Sequence, residues 1–240
     1  SLDGSSPGGD NIALGNAALT ALTTGDYNIA IGSSAGDALT TGANNVAIGH
    51  EALSTEDGNG NSTAIGYRAL KTQNAGAEAY NVAVGVDAGL DITTGVRNTL
   101  LGTFAGSNLS SGNYNVAIGY NSLGTENAHG FNTAVGYQAL KFLDAGADAY
   151  NVALGYQAGV SVTTGLENTL IGSLAGDALT DADFNVAIGT NALSQDTKGS
   201  RSVAIGRETL YAQNFTTATD TYNVGVGYRA GAATTTGINN

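Results

Sequence analysis

Runs of three largely apolar residues, each set between a polar residue and a glycine, form five-residue segments that return along nearly the whole chain. The segments follow the pattern Asn, β-branched residue, Ala, aliphatic residue, Gly, as in "NVAIG" at residues 45–49. A short apolar run of this kind, with a β-branched residue at position 2 and a turn-forming Gly at its end, predicts a short β-strand in each segment. Thirteen segments begin at Asn11, Asn28, Asn45, Ser62, Asn81, Asn98, Asn115, Asn132, Asn151, Asn168, Asn185, Ser202 and Asn223.

These segments mark 13 repeats, whose positions are counted below from the Asn or Ser that opens each repeat. The starts of successive repeats differ in sequence number by 17, except that the differences after the fourth, eighth and twelfth are 19, 19 and 21. Three steps of 17 and one of 19 make 70, so "NVAIG" recurs at 45, 115 and 185 as one member of a four-repeat block. The chain is therefore read as one array of short repeats and not as three copies of a domain.

The glycines indicate which kind of repeat this is. Position 5 is Gly in all 13 repeats, and a second Gly recurs near position 15, which opposes a helix. The pattern predicts an all-β fold, a β-solenoid of 13 coils in four-coil blocks. Each coil is expected to have a strand of about five residues, a Gly corner, a second short strand and a Gly turn. The invariant Gly predicts positive φ or close backbone contact at that corner.

Two further columns predict how a coil is held together. The Asn at position 1, replaced by Ser in two repeats, predicts a hydrogen-bonded ladder along a coil corner. Position 9 is Leu or Gly and position 12 compensates in ten of 13 repeats, as in Gly36 with Leu39 and Leu53 with Glu56. We interpret this as one bulky side chain that fills a fixed core volume in each coil, since close packing would penalise two or none.

The third position suggests self-association. Positions 2 and 4 share one strand face, and we predict that both point into the core. Position 3 then points outward, yet it is never polar, which is typical of a strand covered on both faces. We predict a homo-oligomer, a trimer, that packs through this face; the alternative is that Ala merely fits a narrow coil. The predicted face comprises Ala30, Ala47, Ala64, Ala83, Leu100, Ala117, Ala134, Ala153, Leu170, Ala187 and Ala204.

Composition excludes several classes of function. The chain has 36 Gly, one Pro, no Cys, and 20 acidic against eight basic residues, for a net charge of −12. Eight Lys and Arg in 240 residues argue against a nucleic-acid partner. The absence of Cys excludes disulfides and thiolate chemistry, and no apolar run is long enough to predict membrane insertion.

No motif predicts catalysis, a cofactor or a metal centre. "GSSAG" at 32–36 matches the hydrolase pattern G-x-S-x-G, but the same positions read "GTFAG" and "GSLAG" in other repeats, which indicates a coil corner. His50 and His129 lie at different positions of different repeats, so a catalytic triad or a His-based metal site is not expected. Most acidic residues are interpreted as a solvated surface, although calcium bound in a turn stays an alternative.

Aromatic residues and long turns supply the candidate contacts with a partner. Tyr or Phe recurs at the residue before the Asn, and Tyr recurs just after the corner Gly. Such columns cover coil corners or subunit seams, or they stack on sugars. The longer fourth repeats of each block extend a turn, where binding residues often lie. The candidate contacts for a glycan or other partner are Tyr67, Arg68, Lys71, Tyr137, Gln138, Lys141, Arg207 and Tyr211.

The segments "NVAIG", "STAIGYRAL", "NTAVGYQAL" and "NVALGYQAG" resemble repeats of known surface fibres. "NVAIG" is similar to the head repeat of trimeric autotransporter adhesins, and the longer words are similar to repeats of phage-tail-fibre-like bacterial surface proteins. The resemblance spans residues 11–239 and implies a left-handed coil, a handedness that the residues alone leave open. It also implies a trimer and a place outside the cell, on a cell surface or a virion tail fibre. Many such fibres carry an endosialidase-type chaperone.

These observations predict one solenoid domain over residues 11–240, after a linker or added segment at residues 1–10, and a fragment of a longer fibre. The expected function is non-enzymatic: a structural or adhesive fibre segment that presents or mediates attachment to a host or cell-envelope receptor. A carbohydrate-binding module that uses the Tyr columns or long turns is the alternative. Ice binding is a remote one, because the Thr pairs fall in turns and not within strands.

Overall fold

The computed structural model of the protein describes residues 9–240, which form β-strands joined by turns. Of the predicted linker at 1–10, residues 1–8 lie outside the described residues. The chain divides into two compact units, Ser1–Asn115 and Val116–Asn240. Stacked coils, each formed by one repeat, build both units, so the predicted β-solenoid of about 13 coils is confirmed.

The first unit contains six parallel strands of three residues each. They are β1 (Ile12–Leu14), β2 (Ile29–Ile31), β3 (Val46–Ile48), β4 (Thr63–Ile65), β5 (Val82–Val84) and β6 (Thr99–Leu101). Within this unit, successive strands pair at equivalent positions, as Ala30 with Ala47. The longer fourth repeat keeps this register, with Thr63 opposite Val82, so its two extra residues lie in a turn.

The second unit has seven such strands and one additional pair. The seven are β7 (Val116–Ile118), β8 (Thr133–Val135), β9 (Val152–Leu154), β10 (Thr169–Ile171), β11 (Val186–Ile188), β13 (Val203–Ile205) and β15 (Val224–Val226). The additional strands β12 (Gly199–Ser200) and β14 (Thr219–Asp220) pair with each other. Elsewhere in residues 9–240 the predicted second strand is wrong, because that side of the coil is made of turns.

Residues in the left-handed backbone conformation explain why turns form where a second strand was predicted. Positions 7, 9 and 17 have positive φ, as in Glu51 (54°), Leu53 (52°) and Asn61 (62°). Each such residue reverses the local direction of the backbone, so no extended segment forms between them. The turns still bond to the next coil, since Leu53 N–H donates to the Ala69 carbonyl at 3.0 Å. Position 9 therefore alternates between Leu and Gly within one conformation.

The predicted direction of the strand side chains is wrong. Position 3 points into the coil, and its side chains are buried by the chain itself, so they are not an outward face for another chain. The alternative stated above holds: Ala fits a narrow coil, and Leu occupies the position in two repeats. The buried residues are Ala30, Ala47, Ala64, Ala83, Leu100, Ala117, Ala134, Ala153, Leu170, Ala187 and Ala204. Positions 2 and 4 point outward instead.

The exchange between positions 9 and 12 is confirmed in most coils. A Cβ added to Gly36 would lie 2.9 Å from Leu39 Cδ1, so the position-12 side chain fills the space that a position-9 side chain takes elsewhere. The rule that two bulky residues do not fit is wrong, however, because Leu140 and Leu143 are both fully buried in the eighth repeat.

The Gly corner and the Asn ladder behave as predicted. Gly49 has φ of 132°, and a Cβ there would lie 2.3 Å from the carbonyl oxygen of Gly66, so both predicted reasons for glycine apply. Asn28 is buried; its side-chain oxygen accepts the backbone N–H of Asn45 at 3.0 Å, and its amide donates to the Gly42 carbonyl at 2.8 Å.

We expect Gly49→Ala to destabilise the protein by about 3 kcal/mol or more, because it adds backbone strain and a clash with backbone atoms. Gly58→Ala is the matched control: its Cβ would meet only Thr41 Oγ1 at 3.4 Å. Urea unfolding followed by circular dichroism measures both. Equal midpoints for the two variants would contradict the close-approach explanation.

Candidate functional site

The outward face of the strands is an apolar surface in each unit. We call positions 2 and 4 of the strands the apolar stripe; every residue there is Ile, Leu, Val or Thr. The stripe residues are exposed or half-buried in the single chain. The most exposed are Ile12, Leu14, Val82 and Leu101 in the first unit and Val152, Leu154, Ile205, Val224 and Val226 in the second. Exposed apolar surface of this extent is typical of an interaction site.

Aromatic columns border the apolar stripe along the sequence: one at the last position of the preceding repeat and one at position 6, after the corner Gly. At position 6, Tyr137 is stacked between Tyr120 and Tyr156, with ring centroids 5.4 Å apart on both sides. At the last position of their repeats, Phe131 stacks on Tyr150 at 5.0 Å. Because stacked rings cover each other's faces, Tyr137 presents only its edge to solvent. The structure thus supports these columns as covers of the coil corners.

The first unit brings three predicted contact residues together. Tyr67 stacks on His50 at 5.6 Å, and the Arg68 guanidinium lies 4.8 Å from the Tyr67 ring centroid. Arg68 is held by two hydrogen bonds of 2.8 Å to the buried Asp87, which raise the pKa of Arg68. Lys71 donates to Glu51 at 2.7 Å, and this hydrogen bond lowers the pKa of Glu51. Both cations are therefore already paired within the chain.

The other predicted contacts do not form a comparable cluster. Gln138 accepts a hydrogen bond from Gln157 at 2.9 Å, and Lys141 Nζ lies 4.5 Å from the Phe142 ring centroid. Arg207 pairs with Glu208 at 2.9 Å and is exposed. Tyr211 is half-buried. The long turns therefore present separate side chains at the surface.

Three acidic residues at position 12 were missed by the sequence reasoning, which placed most acids on the surface. Glu56, Glu126 and Asp196 are fully buried. In the first block Gln73 donates to Glu56 at 3.0 Å and to Ser62 at 3.0 Å. The sequence held one signal of this buried network: Ser at position 1 occurs together with Gln at position 12, in the fourth and twelfth repeats.

The third block repeats this network, and the second does not. Gln213 donates to Asp196 at 2.6 Å and to Ser202 at 2.9 Å. In the second block the corresponding residues are Leu143 and Asn132, so Glu126 lacks a Gln partner. Its neighbours are instead His129, with Nδ1 3.3 Å from Glu126 Oε1, and Asp144. This cluster could have been predicted by stacking the repeats in register, because positions 12 to 15 of successive coils lie side by side.

The turn threonines use their hydroxyls within the chain. Thr23 Oγ1 donates to the Thr40 carbonyl at 3.0 Å, and Thr40 Oγ1 to the Asp57 carbonyl at 2.8 Å. Thr163 and Thr180 make the same contact in the second unit. These hydroxyls bond to the next coil, which gives no support to ice binding.

We expect Gln73→Leu to destabilise the protein by about 2 kcal/mol, because buried Glu56 and Ser62 lose a hydrogen-bond donor. Gln157→Leu is the matched control, since it removes one partly buried hydrogen bond to Gln138 and is expected to cost about 0.5 kcal/mol. Urea unfolding measures both, and an equal loss in the two variants would contradict a special role for the buried network.

Within residues 9–240 no helix is long and apolar enough to cross a membrane. No protein-family model matches the chain, and no curated protein or solved structure matches it. The function is therefore argued from the surface of the molecule.

Proposed function

We propose that the chain is a non-enzymatic structural and adhesive fibre segment, which assembles as a homotrimer outside the cell and presents attachment to another cell or host surface. The single observation that carries the proposal is the apolar stripe. The resemblance of the repeats to those of surface fibres supports the number of chains and the location, on a cell surface or a virion tail fibre.

The apolar stripe suits a second copy of this chain for a structural reason. Parallel strands that are apolar on both faces are usually covered on both. The inner face is covered by the coil's own turns, whereas Leu101 and Leu154 are 44% and 45% exposed. Every copy repeats the stripe at the strand spacing of about 4.8 Å, so two stripes match along their length.

The apolar stripe itself carries no charge that association would bury. The chain carries a net charge of −12, yet positions 2 and 4 hold no charged residue in any repeat. Because the charges lie elsewhere, the stripes approach one another without burying an unpaired charge.

We expect the wild-type protein in solution to have three times the 23.8 kDa mass of one chain. Leu101→Glu combined with Leu154→Glu should reduce the mass to that of one chain, because charges would be buried at the interface. Phe142→Glu is the control, because Phe142 is equally exposed, at 45%, but lies in a long turn. Light scattering after size exclusion measures all three. A wild type with the mass of a single chain, or a double variant that keeps the trimeric mass, would contradict the proposed trimer.

Attachment is proposed through the side chains that protrude at the long turns and the Tyr67 cluster. A carbohydrate-binding module is the competing function, and the Tyr67 cluster supports it, because the exposed Tyr67 side chain lies close to the guanidinium of Arg68 and the ring of His50, which offer polar groups to a sugar. Tyr137 is a poor sugar platform, because both faces of its ring are covered.

We expect a glycan array probed with the labelled protein to give no signal above a labelled control protein, while the label binds intact target cells. A glycan signal that is lost in Tyr67→Ala and kept in Tyr137→Ala would instead establish the carbohydrate-binding module. Absence of binding to every cell tested, in a protein of trimeric mass, would leave a shaft without adhesive function and contradict the attachment.

A further inference from the structure

The second four-repeat block holds two carboxylates and an imidazole at one turn. We propose that Glu126, His129 and Asp144 bind one divalent transition-metal ion, and that zinc is the ion their chemistry fits best. This inference stands independently of the proposed fibre function.

The geometry is close to that of a zinc site. One ligand atom from each residue lies within 4.8 Å of the other two, and His129 Nδ1 is 3.3 Å from Glu126 Oε1. Zinc bonds of about 2.0–2.2 Å in a tetrahedron place neighbouring ligand atoms roughly 3.3–3.6 Å apart. Asp144 is exposed, so rotation of its side chain shortens the remaining distances. Three protein ligands leave a fourth position for water.

The ligand types favour zinc over calcium and magnesium. Imidazole nitrogen suits zinc, copper and nickel, whereas calcium and magnesium prefer all-oxygen sites. Within residues 9–240 this is the one group of three acidic, His or Cys residues with ligand atoms so close together. Glu126 is fully buried and His129 half-buried, so two of the three ligands are held in place by the coil.

The other two blocks show what the same backbone does without such a site. The carboxylates of Glu56, Glu126 and Asp196 each accept the backbone N–H three residues on, at 3.2, 3.2 and 3.1 Å. Their side-chain partners differ. Asn59 and Gln73 donate amides to Glu56, and Gln213 donates one to Asp196.

The second block exchanges these amides for ionisable and apolar groups. His129 occupies the position of Asn59, Asp144 that of Asn74 and Asn214, and Leu143 that of Gln73 and Gln213. The backbone is kept, since Asp144 N–H donates to Thr163 at 2.8 Å as Asn74 N–H does to Thr93. The exchange replaces the two amides that bind the buried carboxylate of the first block, and it adds a metal-ligating ring and a second carboxylate.

Electrostatics supply a reason for a cation at this place. Glu126 keeps three backbone N–H donors at 3.2, 3.2 and 3.4 Å, and these are the backbone groups of Asn127, His129 and Ala145. Burial raises the pKa of Glu126, against the opposing effect of the bonds from His129 and Ala145 and of the His129 ring. A bound dication offsets the cost of burying the charged carboxylate.

The test is a titration of the full chain with zinc chloride at pH 7.5, followed by calorimetry. We expect one zinc ion per chain and at least a tenfold weaker affinity in His129→Asn and in Asp144→Asn. Both variants copy residues that the first block holds at the same positions, so they are expected to fold. Cobalt, as a spectroscopic substitute, should give the visible absorption of a four-coordinate site in wild type and not in His129→Asn.

His50→Asn is the matched control, because His50 is the other histidine and lies at the surface beside Glu51. It should bind zinc as wild type does. Zinc should also raise the unfolding temperature of wild type and of His50→Asn, and leave that of His129→Asn unchanged. No binding at submillimolar zinc would overturn the proposal, as would equal affinity in wild type, His129→Asn and Asp144→Asn.

Discussion

In most coils, one buried asparagine at position 1 connects the parts on which the fold of each unit depends. The amide of Asn98 donates to the carbonyl of Gly112 and so ties the start of the strand to the turn that ends the same coil. One step earlier in the same ladder, the side-chain oxygen of Asn81 accepts the backbone N–H of Asn98 at 2.8 Å and so joins two successive coils. A coil whose one strand is so short has too few strand bonds to fix its own shape. The side chain supplies the missing closure, and the Gly corner lets the backbones approach closely enough for the ladder to form.

This constraint explains how much of the fold could be predicted from the sequence. The Gly corner and the Asn ladder are marked by recurring residue types, Gly at position 5 in every repeat and Asn or Ser at position 1, and both are confirmed, as is the stacking of coils at the predicted period. The side-chain direction could not be read in the same way, because positions 2, 3 and 4 are all apolar and period-2 alternation then has no polar phase. Residue size was the better guide: the narrow interior accepts Ala30 and Ala47, whereas β-branched Ile29 and Val46 lie outside.

The candidate metal site was hidden from the sequence for a different reason. In the sequence, an acidic residue at position 12 cannot be told from a surface acid unless its partner in the next coil is also considered. The fourth and twelfth repeats have the same pair at positions 12 and 1, Gln73 with Ser62 and Gln213 with Ser202. The eighth repeat has Leu143 and Asn132 at those positions, so both members of the pair differ there. These positions become neighbours only when the repeats are stacked as coils in the observed register. Residues 126, 129 and 144 are then neighbours although they belong to two successive repeats, which no local motif would detect.

The two faces of the strands differ in how far the chain itself buries their apolar side chains. The inward-pointing Ala and Leu side chains are buried within the chain. The aromatic columns make contacts among themselves, since Tyr120, Tyr137 and Tyr156 stack on one another. The apolar stripe has no such internal partner in the described residues, and burying it against a matching surface is favourable by about 25 cal/mol for each Å² removed from water. The repeat that makes the coils uniform also makes the stripe uniform, and this regularity is why we propose another copy of the chain as its partner.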